Sequence, residues 1–237
     1  MFRLQKFTRV MATPAWAVAL IRYLVAASAE HVSALSGLRC AVVVDIGANR
    51  GQFSLLARGL NPVARIYAFE PLPEAAARYR TVFARDPGVT LHEAAIGTRT
   101  GQAAIHISRC DDSSSLLPIT STQAALFAGT KEVGTTMVKV APLDEFLTPE
   151  QIIEPALLKL DVQGYELEAL KGCETLLDRF AYAYVECSFM ELYAGQALAD
   201  EVVGWLQKRG FQLCGVYNMS YYKGGRAVQG DFLFSRA

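Results

Sequence analysis

The sequence predicts an α/β fold with a mostly parallel central sheet, helices on both faces and an antiparallel hairpin at its C-terminal end. Two observations predict this class. Short β-branched runs without polar alternation, typical of strands buried on both faces, alternate with segments of helical spacing. The final strand-like runs are joined by a glycine-containing turn, which is typical of a hairpin.

The first half of this pattern lies in residues 41–94. A strand is predicted over 41–46 and ends in a glycine-containing turn, after which a helix starts at Gln52. A second strand ends at Pro71, and the next helix starts at Pro73, in a first-turn position where proline is tolerated. A third strand is predicted over 89–94. Right-handed crossovers between such units place successive strands parallel in one sheet.

Residues 97–140 interrupt this alternation of strands and helices. Two predicted strands, 101–107 and 135–140, flank a polar loop with Ser113 and Ser114 and a short helix near 122–127. We interpret 97–140 as an insertion or an antiparallel extension beside the main sheet.

The α/β alternation then resumes and ends in a hairpin. The remaining predicted elements are a strand over 156–161, a helix over 165–177, a strand over 181–186, a helix over 199–209, and hairpin strands over 211–217 and 230–234 around a long turn. The predicted organisation is an N-terminal helical extension over 1–39 followed by one Rossmann-like domain over 40–237.

Composition excludes several classes of protein. The 237 residues are 52% hydrophobic, with 23 Lys and Arg against 23 Asp and Glu, so the chain is long and apolar enough for a large core. A formal net charge of zero argues against a nucleic-acid partner, because a protein that binds nucleic acid needs a basic surface to contact the phosphates. The five cysteines are widely spaced without a C-x-x-C pair, which indicates reduced thiols and a cytoplasmic protein.

The first 39 residues carry five basic residues and only one acidic residue. Their longest uncharged run, 10–21, is far shorter than the about 20 residues that a bilayer span needs. Helical spacing of apolar side chains predicts an amphipathic helix here, formed by Trp16, Leu20, Tyr23, Leu24 and Ala27. Two interpretations remain open. The favoured one is a helix packed on the domain as a cap or homodimer contact, and the other is a basic helix lying on a membrane surface.

Carboxylates end or adjoin five of the predicted strands. In an open parallel sheet, ligands bind beyond the carboxyl ends of the strands, so these side chains are candidates for a common site. They are Asp45, Glu70, Glu93, Asp161 and Glu186. Any one alone is typical of a turn or helix cap, but the five together favour a functional site.

The turn after the first strand is the most informative motif. Its spacing is G-x-x-x-G, with Gly47 and Gly51, and Asp45 comes two residues before it. Glycines allow a ligand to approach the backbone, and the following helix start attracts a carboxylate or phosphate. Asp45 beside the turn suits a ligand that carries an ammonium group. Glu70, at the end of the second strand, can accept hydrogen bonds from both hydroxyls of a ribose.

Several motifs occur together in an order that resembles the FkbM family. They are VDIGANRG at 44–51, FEP at 69–71, AIG at 95–97, SSSL at 113–116, LDEF at 143–146 and KLDVQGYE at 159–166. The resemblance covers about residues 42–206. It implies a Rossmann-like methyltransferase fold, S-adenosylmethionine as cofactor, and methyl transfer to a hydroxyl of a sugar or polyketide-like molecule. Gln163 departs from the D-V-E-G form of the family, which argues against a role that needs a charge there.

The resemblance also implies which residues surround the cofactor. It implies Asp45, Gly47, Asn49, Gly51 and Glu70. The predicted cofactor set also includes Ala48, Phe53, Pro71, Ala94, Ala95 and Asp161. No metal ligand set is assigned.

Methyl transfer to a hydroxyl calls for a group that accepts the proton. Asp161 is the first candidate, because the fourth main strand is expected to lie beside the first. It could equally cap the following helix or contact the cofactor. Glu186 could share the role or orient the acceptor. Ser113, Ser114 and His31 are assigned to the acceptor side. His92 is interpreted as lying near the adenine edge or as simply packed, and His106 as structural.

Two other functions are compatible with the sequence. A glycine-rich turn and an acid on the second strand also suit an NAD(P)-dependent oxidoreductase, although Asp45 and the missing middle glycine speak against it. A non-catalytic scaffold with the same fold is the third interpretation. The expected partner is a small hydroxyl-bearing acceptor.

Overall fold

The computed structural model describes residues 8–236, which form two β-sheets with helices around them. Residues 1–7, including Arg3 and Lys6 of the basic N-terminal segment, lie outside the described part. Within residues 8–236, no helix is both long and apolar enough to cross a bilayer.

The main sheet has seven strands in the order β3-β2-β1-β7-β8-β10-β9. The strands are β1 (Val42–Ile46), β2 (Arg65–Phe69), β3 (Val89–His92), β7 (Ala156–Leu160), β8 (Tyr182–Ser188), β9 (Phe211–Tyr222) and β10 (Arg226–Arg236). β3, β2, β1, β7 and β8 pair in parallel, whereas β10 is antiparallel to β8 and to β9. This is the predicted mostly parallel sheet with an antiparallel hairpin. The carboxyl ends of β1, β2, β7 and β8 therefore open on one edge.

Helices cover both faces of the sheet. They are α1 (Pro14–Tyr23), α2 (Val32–Leu35), α3 (Gln52–Leu60), α4 (Pro73–Phe83), α5 (Ser121–Leu126), α6 (Glu166–Gly172) and α7 (Ala199–Gln207). Leu56 of α3 and Tyr79 of α4 belong to the apolar layer on one face, and Leu170 of α6 and Val202 of α7 belong to the layer on the other. β1 is buried along its whole length, as its β-branched sequence without polar alternation predicts, and this burial includes Asp45.

The region over 97–140 forms much of a second sheet. β4 (Ala95–Ile96), β5 (Gly101–Ser108) and β6 (Glu132–Ala141) lie in the order β4-β6-β5, with β5 and β6 antiparallel. The predicted third strand over 89–94 therefore ends early. β3 stops at His92, and the chain then enters the second sheet through β4.

The N-terminal helix is shorter than its apolar spacing predicts. α1 ends at Tyr23 because Leu24 has a left-handed backbone (φ 57°), and its amide donates back to the last turn. Leu24 is exposed and Ala27 is buried beyond the helix. Trp16 fixes α1 to the domain, since its indole N–H donates to the carbonyl of Leu55 at 2.9 Å.

Two other boundaries differ from the prediction. The helix predicted over 165–177 changes at Gly172 into a 3-10 segment, Glu174–Arg179. Gly172 packs so closely on Gly97 that a Cβ atom would lie 2.5 Å from the Gly97 carbonyl oxygen. The hairpin strands are longer than predicted, and only residues 223–225 separate them.

Candidate active site

A cavity of about 600 Å³ opens at the carboxyl ends of the parallel strands. Its walls come from the turn after β1, the ends of β2, β7 and β8, the middle of the hairpin and the N-terminal turn over 28–31. The segment over 109–131, which joins β5 to β6, closes another side. The topology thus brings distant parts of the sequence to one site.

The turn after β1 is held in a fixed shape by β2. Gly47 (φ 75°) has no room for a side chain, because a Cβ atom would lie 1.9 Å from the Asp161 carbonyl oxygen. The amides of Gly47 and Ala48 both donate to the Phe69 carbonyl at 3.0 Å. The Asn49 amide donates to Glu70 at 2.8 Å. The turn is therefore preformed, and these amides are already used within the protein.

Asp45 is not among the described residues that line the cavity, and its contact with a ligand stays a prediction. It is 0% exposed, and its carboxylate lies 3.0 Å from the Lys159 ammonium. Ser54 donates to the same carboxylate at 2.7 Å, and Tyr79 donates to Ser54 at 2.8 Å. The reason is its place in the chain: Asp45 still pairs within the sheet, between Ala68 and Lys159, before the turn begins.

Lys159 is the main residue that sequence reasoning missed. Its ammonium group donates to the Gly47 carbonyl at 2.8 Å and lies 4.0 Å from Asp161. Burial opposes its ionisation, but the charges of Asp45 and Asp161 outweigh that effect and raise its pKa. A single lysine in the otherwise apolar strand β7 was the available signal, because a buried lysine needs a carboxylate partner.

Glu70 faces the cavity from the end of β2. One carboxylate oxygen accepts the Asn49 amide and the other accepts the Leu72 amide, each at 2.8 Å. Burial raises the pKa of Glu70 to about 7, although these two hydrogen bonds act in the opposite direction. Each oxygen retains a second lone pair for a ligand hydroxyl.

The other predicted cofactor residues divide into two groups. Those that line the cavity are Gly47, Ala48, Asn49, Phe53, Pro71, Ala95 and Asp161. Gly51 lies behind the turn, where a Cβ atom would meet the rings of Phe83 and Tyr79, and Ala94 is buried below the surface. Like Asp45, Gly51 and Ala94 do not line the cavity, and their contact with a ligand stays a prediction.

Asp161 and Glu186 are brought together by Gln163. The Gln163 amide group donates to Asp161 at 2.7 Å and to Glu186 at 3.0 Å. Gln229 donates to the other oxygen of Glu186 at 2.7 Å. Burial, followed by the charges of Asp161 and Asp231, raises the pKa of Glu186 well above its usual value. Glu186 is thus poised to hold a proton, and Asp161 is the more exposed carboxylate.

Gln163 also connects this pair to the neighbouring loops. Its backbone is left-handed (φ 55°), and its side-chain oxygen accepts a hydrogen bond from Tyr193 at 2.6 Å. Its carbonyl accepts a hydrogen bond from Ser115 at 2.6 Å. A glutamate at 163 could not donate to the two carboxylates when ionised, so glutamine suits this position. Tyr193 lies in a loop and carried no sequence signal.

His31 lines the part of the cavity that meets the hairpin. Its Nδ1 atom lies 2.9 Å from the Tyr184 hydroxyl, 3.0 Å from the Asn218 side-chain nitrogen and 3.2 Å from an Asp231 oxygen. Asn218 donates to the same Asp231 oxygen at 2.7 Å. Sequence reasoning missed Asn218 and Asp231, although a carboxylate inside an apolar strand was a signal.

The 109–131 segment places Ser113 and Ser114 at the cavity wall. Ser114 accepts the amide of Ser108 at 3.1 Å, which holds the segment against the end of β5. Ser115 also lines the cavity, and its buried hydroxyl donates to the Gln163 carbonyl in the loop after β7. The side chain of Asp111 lies outside the described part of the chain.

The remaining candidates lie away from this site. His92 stacks on Phe69 with ring centroids 4.9 Å apart, and burial followed by the charge of Lys139 lowers its pKa. His106 pairs with Glu132 at 3.0 Å in the second sheet. Glu93 pairs with Arg80. None of these side chains is among the described residues that line the cavity.

The sheet order, the preformed turn after β1 and the acid at the end of β2 define a Rossmann-like methyltransferase. Residues 45–213 match the methyltransferase FkbM domain, which is more than two thirds of the chain. The chain therefore belongs to the FkbM methyltransferase family.

Two curated relatives are methyltransferases. The chain is 29% identical over 198 residues to 2-O-methyltransferase NoeI of Sinorhizobium fredii, covering 81% of this chain and 78% of that protein. It is 30% identical over 148 residues to the hexuronic acid methyltransferase AglP of Haloferax volcanii, covering 61% of this chain and 55% of that protein.

Solved structures of low identity also align with the chain. Precorrin-6y C5,15-methyltransferase of Geobacter metallireducens aligns over 87% of this chain and 85% of its own, with 16% identity and a TM-score of 0.47. Magnesium protoporphyrin IX methyltransferase of Synechocystis, solved with bound SAM, aligns over 87% and 74%, with 13% identity and a TM-score of 0.47.

Proposed function

We propose that the chain transfers a methyl group from S-adenosylmethionine to a hydroxyl oxygen of a sugar or similar polyhydroxylated small molecule. The observation that carries this proposal is Glu70, a cavity-facing acid at the tip of β2 that lies next to a preformed glycine turn. Membership of the FkbM family and relatives named for a 2-O-methylation and a hexuronic acid support the acceptor class.

The residues of the cavity fit the proposed cofactor. Glu70 has lone pairs free to accept both ribose hydroxyls, while Leu72 and Ile96 provide apolar wall for the adenine. Lys159, the only lysine or arginine among the described lining residues, is already paired with Asp45. This charge distribution suits a cofactor with ammonium and sulfonium groups better than a dinucleotide with a pyrophosphate.

The chemistry divides between cofactor and protein. S-adenosylmethionine supplies an electrophilic methyl group on its sulfonium sulfur. Asp161, the exposed carboxylate, accepts the proton of the acceptor hydroxyl, and Gln163 fixes its orientation. Glu186, whose pKa is raised by burial, orients the acceptor. The 109–131 segment excludes water from the cavity.

The cofactor class is tested by calorimetry. We expect S-adenosylhomocysteine to bind at one site per chain and NADH not to bind. Incubation with methyl-labelled S-adenosylmethionine and acceptor sugars should then yield labelled product. Binding of NADH in place of S-adenosylhomocysteine would favour an oxidoreductase, and cofactor binding without transfer to any hydroxyl compound would favour a scaffold.

Glu70 should make cofactor binding depend on pH. Its pKa of about 7 means that the ionised form, which accepts the ribose hydroxyls, increases as pH rises. Between pH 6 and pH 8 the affinity for S-adenosylhomocysteine should rise by about tenfold. In Glu70→Gln the affinity should be lower and nearly independent of pH. Calorimetry at several pH values checks this.

Glu74, an exposed residue in the first turn of α4 and four residues after Glu70, provides the matched control. Glu74→Gln should keep the pH dependence of the wild type. A wild-type affinity that stays constant from pH 6 to pH 8 would show that Glu70 does not bind the ribose in its ionised form.

A further inference from the structure

The acceptor side of the cavity carries many carboxylates. Three of the described residues on this side are acidic, namely Asp161, Glu186 and Asp231. Against them stand only His31 and Lys159 among the described lining residues. Because Lys159 is paired with Asp45 at 3.0 Å, its charge is already balanced.

The negative charges act on one another within the site. The charges of Asp161 and Asp231 add to burial in raising the pKa of Glu186. A site that already opposes the ionisation of its own carboxyl group also opposes a second anion brought by a ligand. No bidentate arginine, the usual partner of a carboxylate or phosphate, is among the described lining residues.

Amide side chains complete this part of the wall. Gln163, Gln229 and Asn218 line the cavity, and each donates to one of the carboxylates. Fixed carboxylate and amide groups can accept and donate hydrogen bonds to neighbouring hydroxyls of one ring. The ring of Phe53 adds an aromatic wall on the same side.

We propose that the acceptor is an uncharged sugar, and that the carboxylates of this cavity reject sugars that carry a carboxylate or phosphate beside the reacting hydroxyl. The inference rests on the proposed methyltransferase function and specifies its acceptor. Under this proposal, the site differs from one that would methylate uronic acids.

Matched acceptors test the proposal. The probes are the methyl glycosides of glucose, galactose and mannose, the corresponding uronic acids, and the uronamides, which keep the shape of the acids without their charge. With labelled S-adenosylmethionine, we expect transfer to at least one neutral glycoside and to its uronamide. For the matching uronic acid, kcat/KM should be at least about 30-fold lower.

A variant of a cavity residue tests whether the cavity carboxylates cause the discrimination against uronic acids. Asp231→Asn removes one negative charge with little change in size, so it should reduce the discrimination between uronamide and uronic acid by about fivefold to tenfold. The exposed Asp200, at the start of α7, gives the control Asp200→Asn, which should leave the discrimination unchanged.

Each remaining outcome decides the question. Equal or faster transfer to a uronic acid would overturn the proposal. If S-adenosylhomocysteine binds but none of the neutral glycosides is methylated, or seen to bind by ligand-observed NMR, the sugar assignment is wrong while the cofactor assignment stands. If S-adenosylhomocysteine itself fails to bind, the proposed function falls as well.

Discussion

Asp45→Ala should destabilise the protein strongly. The substitution leaves the Lys159 ammonium buried without its partner at 3.0 Å and removes the acceptor of the Ser54 hydroxyl. Breaking a buried ion pair from one side costs about 3–5 kcal/mol of unfolding free energy. For a chain of this size, the melting temperature should fall by about 6–20 °C, measured by calorimetry or thermal unfolding.

Two further variants separate this effect from general damage. In the double variant Asp45→Ala with Lys159→Met no unpaired charge remains, so it should be at least as stable as Asp45→Ala alone. The partly exposed pair of Glu168 and Lys171 is the control, and Glu168→Ala should cost under about 1 kcal/mol. An Asp45→Ala variant that melts normally but no longer binds S-adenosylhomocysteine would establish Asp45 as a ligand contact.

Asp161→Asn should abolish most of the turnover while the cofactor still binds. In the wild type, the Gln163 side-chain nitrogen donates to an Asp161 oxygen at 2.7 Å, and asparagine keeps an oxygen for this hydrogen bond. Asparagine cannot, however, take up the proton of the acceptor hydroxyl. Loss of a general base lowers kcat by about 10²–10⁴-fold. Single-turnover assays on the neutral glycosides measure the rate, and calorimetry should give nearly unchanged affinity for S-adenosylhomocysteine.

Glu186→Gln distinguishes the two carboxylates that Gln163 joins. Because the pKa of Glu186 is raised well above its usual value by burial and by the charge of Asp161, Glu186 ionises less readily than Asp161 is expected to, and its replacement should lower kcat far less than Asp161→Asn. A normal rate in Asp161→Asn together with a large loss in Glu186→Gln would assign the base to Glu186 instead.

Much of the fold could be predicted because burial on both faces leaves a clear mark on the sequence. The β-branched run of β1 correctly predicted a strand, and the proline at the start of α4 correctly predicted the start of a helix. The break after Gly172 could not be predicted, because it depends on the close approach of Gly97, which is distant in the chain.

The site was harder to predict than the fold. Sequence placed Glu70 and Asp161 at strand ends, and both line the cavity. It could not show that the Asp45 side chain turns inward to Lys159, because the direction of a side chain at a strand end depends on which neighbours pack beside it. Asn218 lies one residue beyond the predicted end of its strand, and Asp231 reaches the site because β10 pairs with β8 and places Asp231 opposite Glu186, which sequence alone does not show.

The most direct test is a crystal structure of the protein soaked with S-adenosylhomocysteine. Both ribose hydroxyls should lie within hydrogen-bond distance of Glu70, with the sulfur directed toward Asp161 and the hairpin side of the cavity. Density for the nucleoside at any other surface, or contact of the ligand ammonium with Asp45 after displacement of Lys159, would contradict this account.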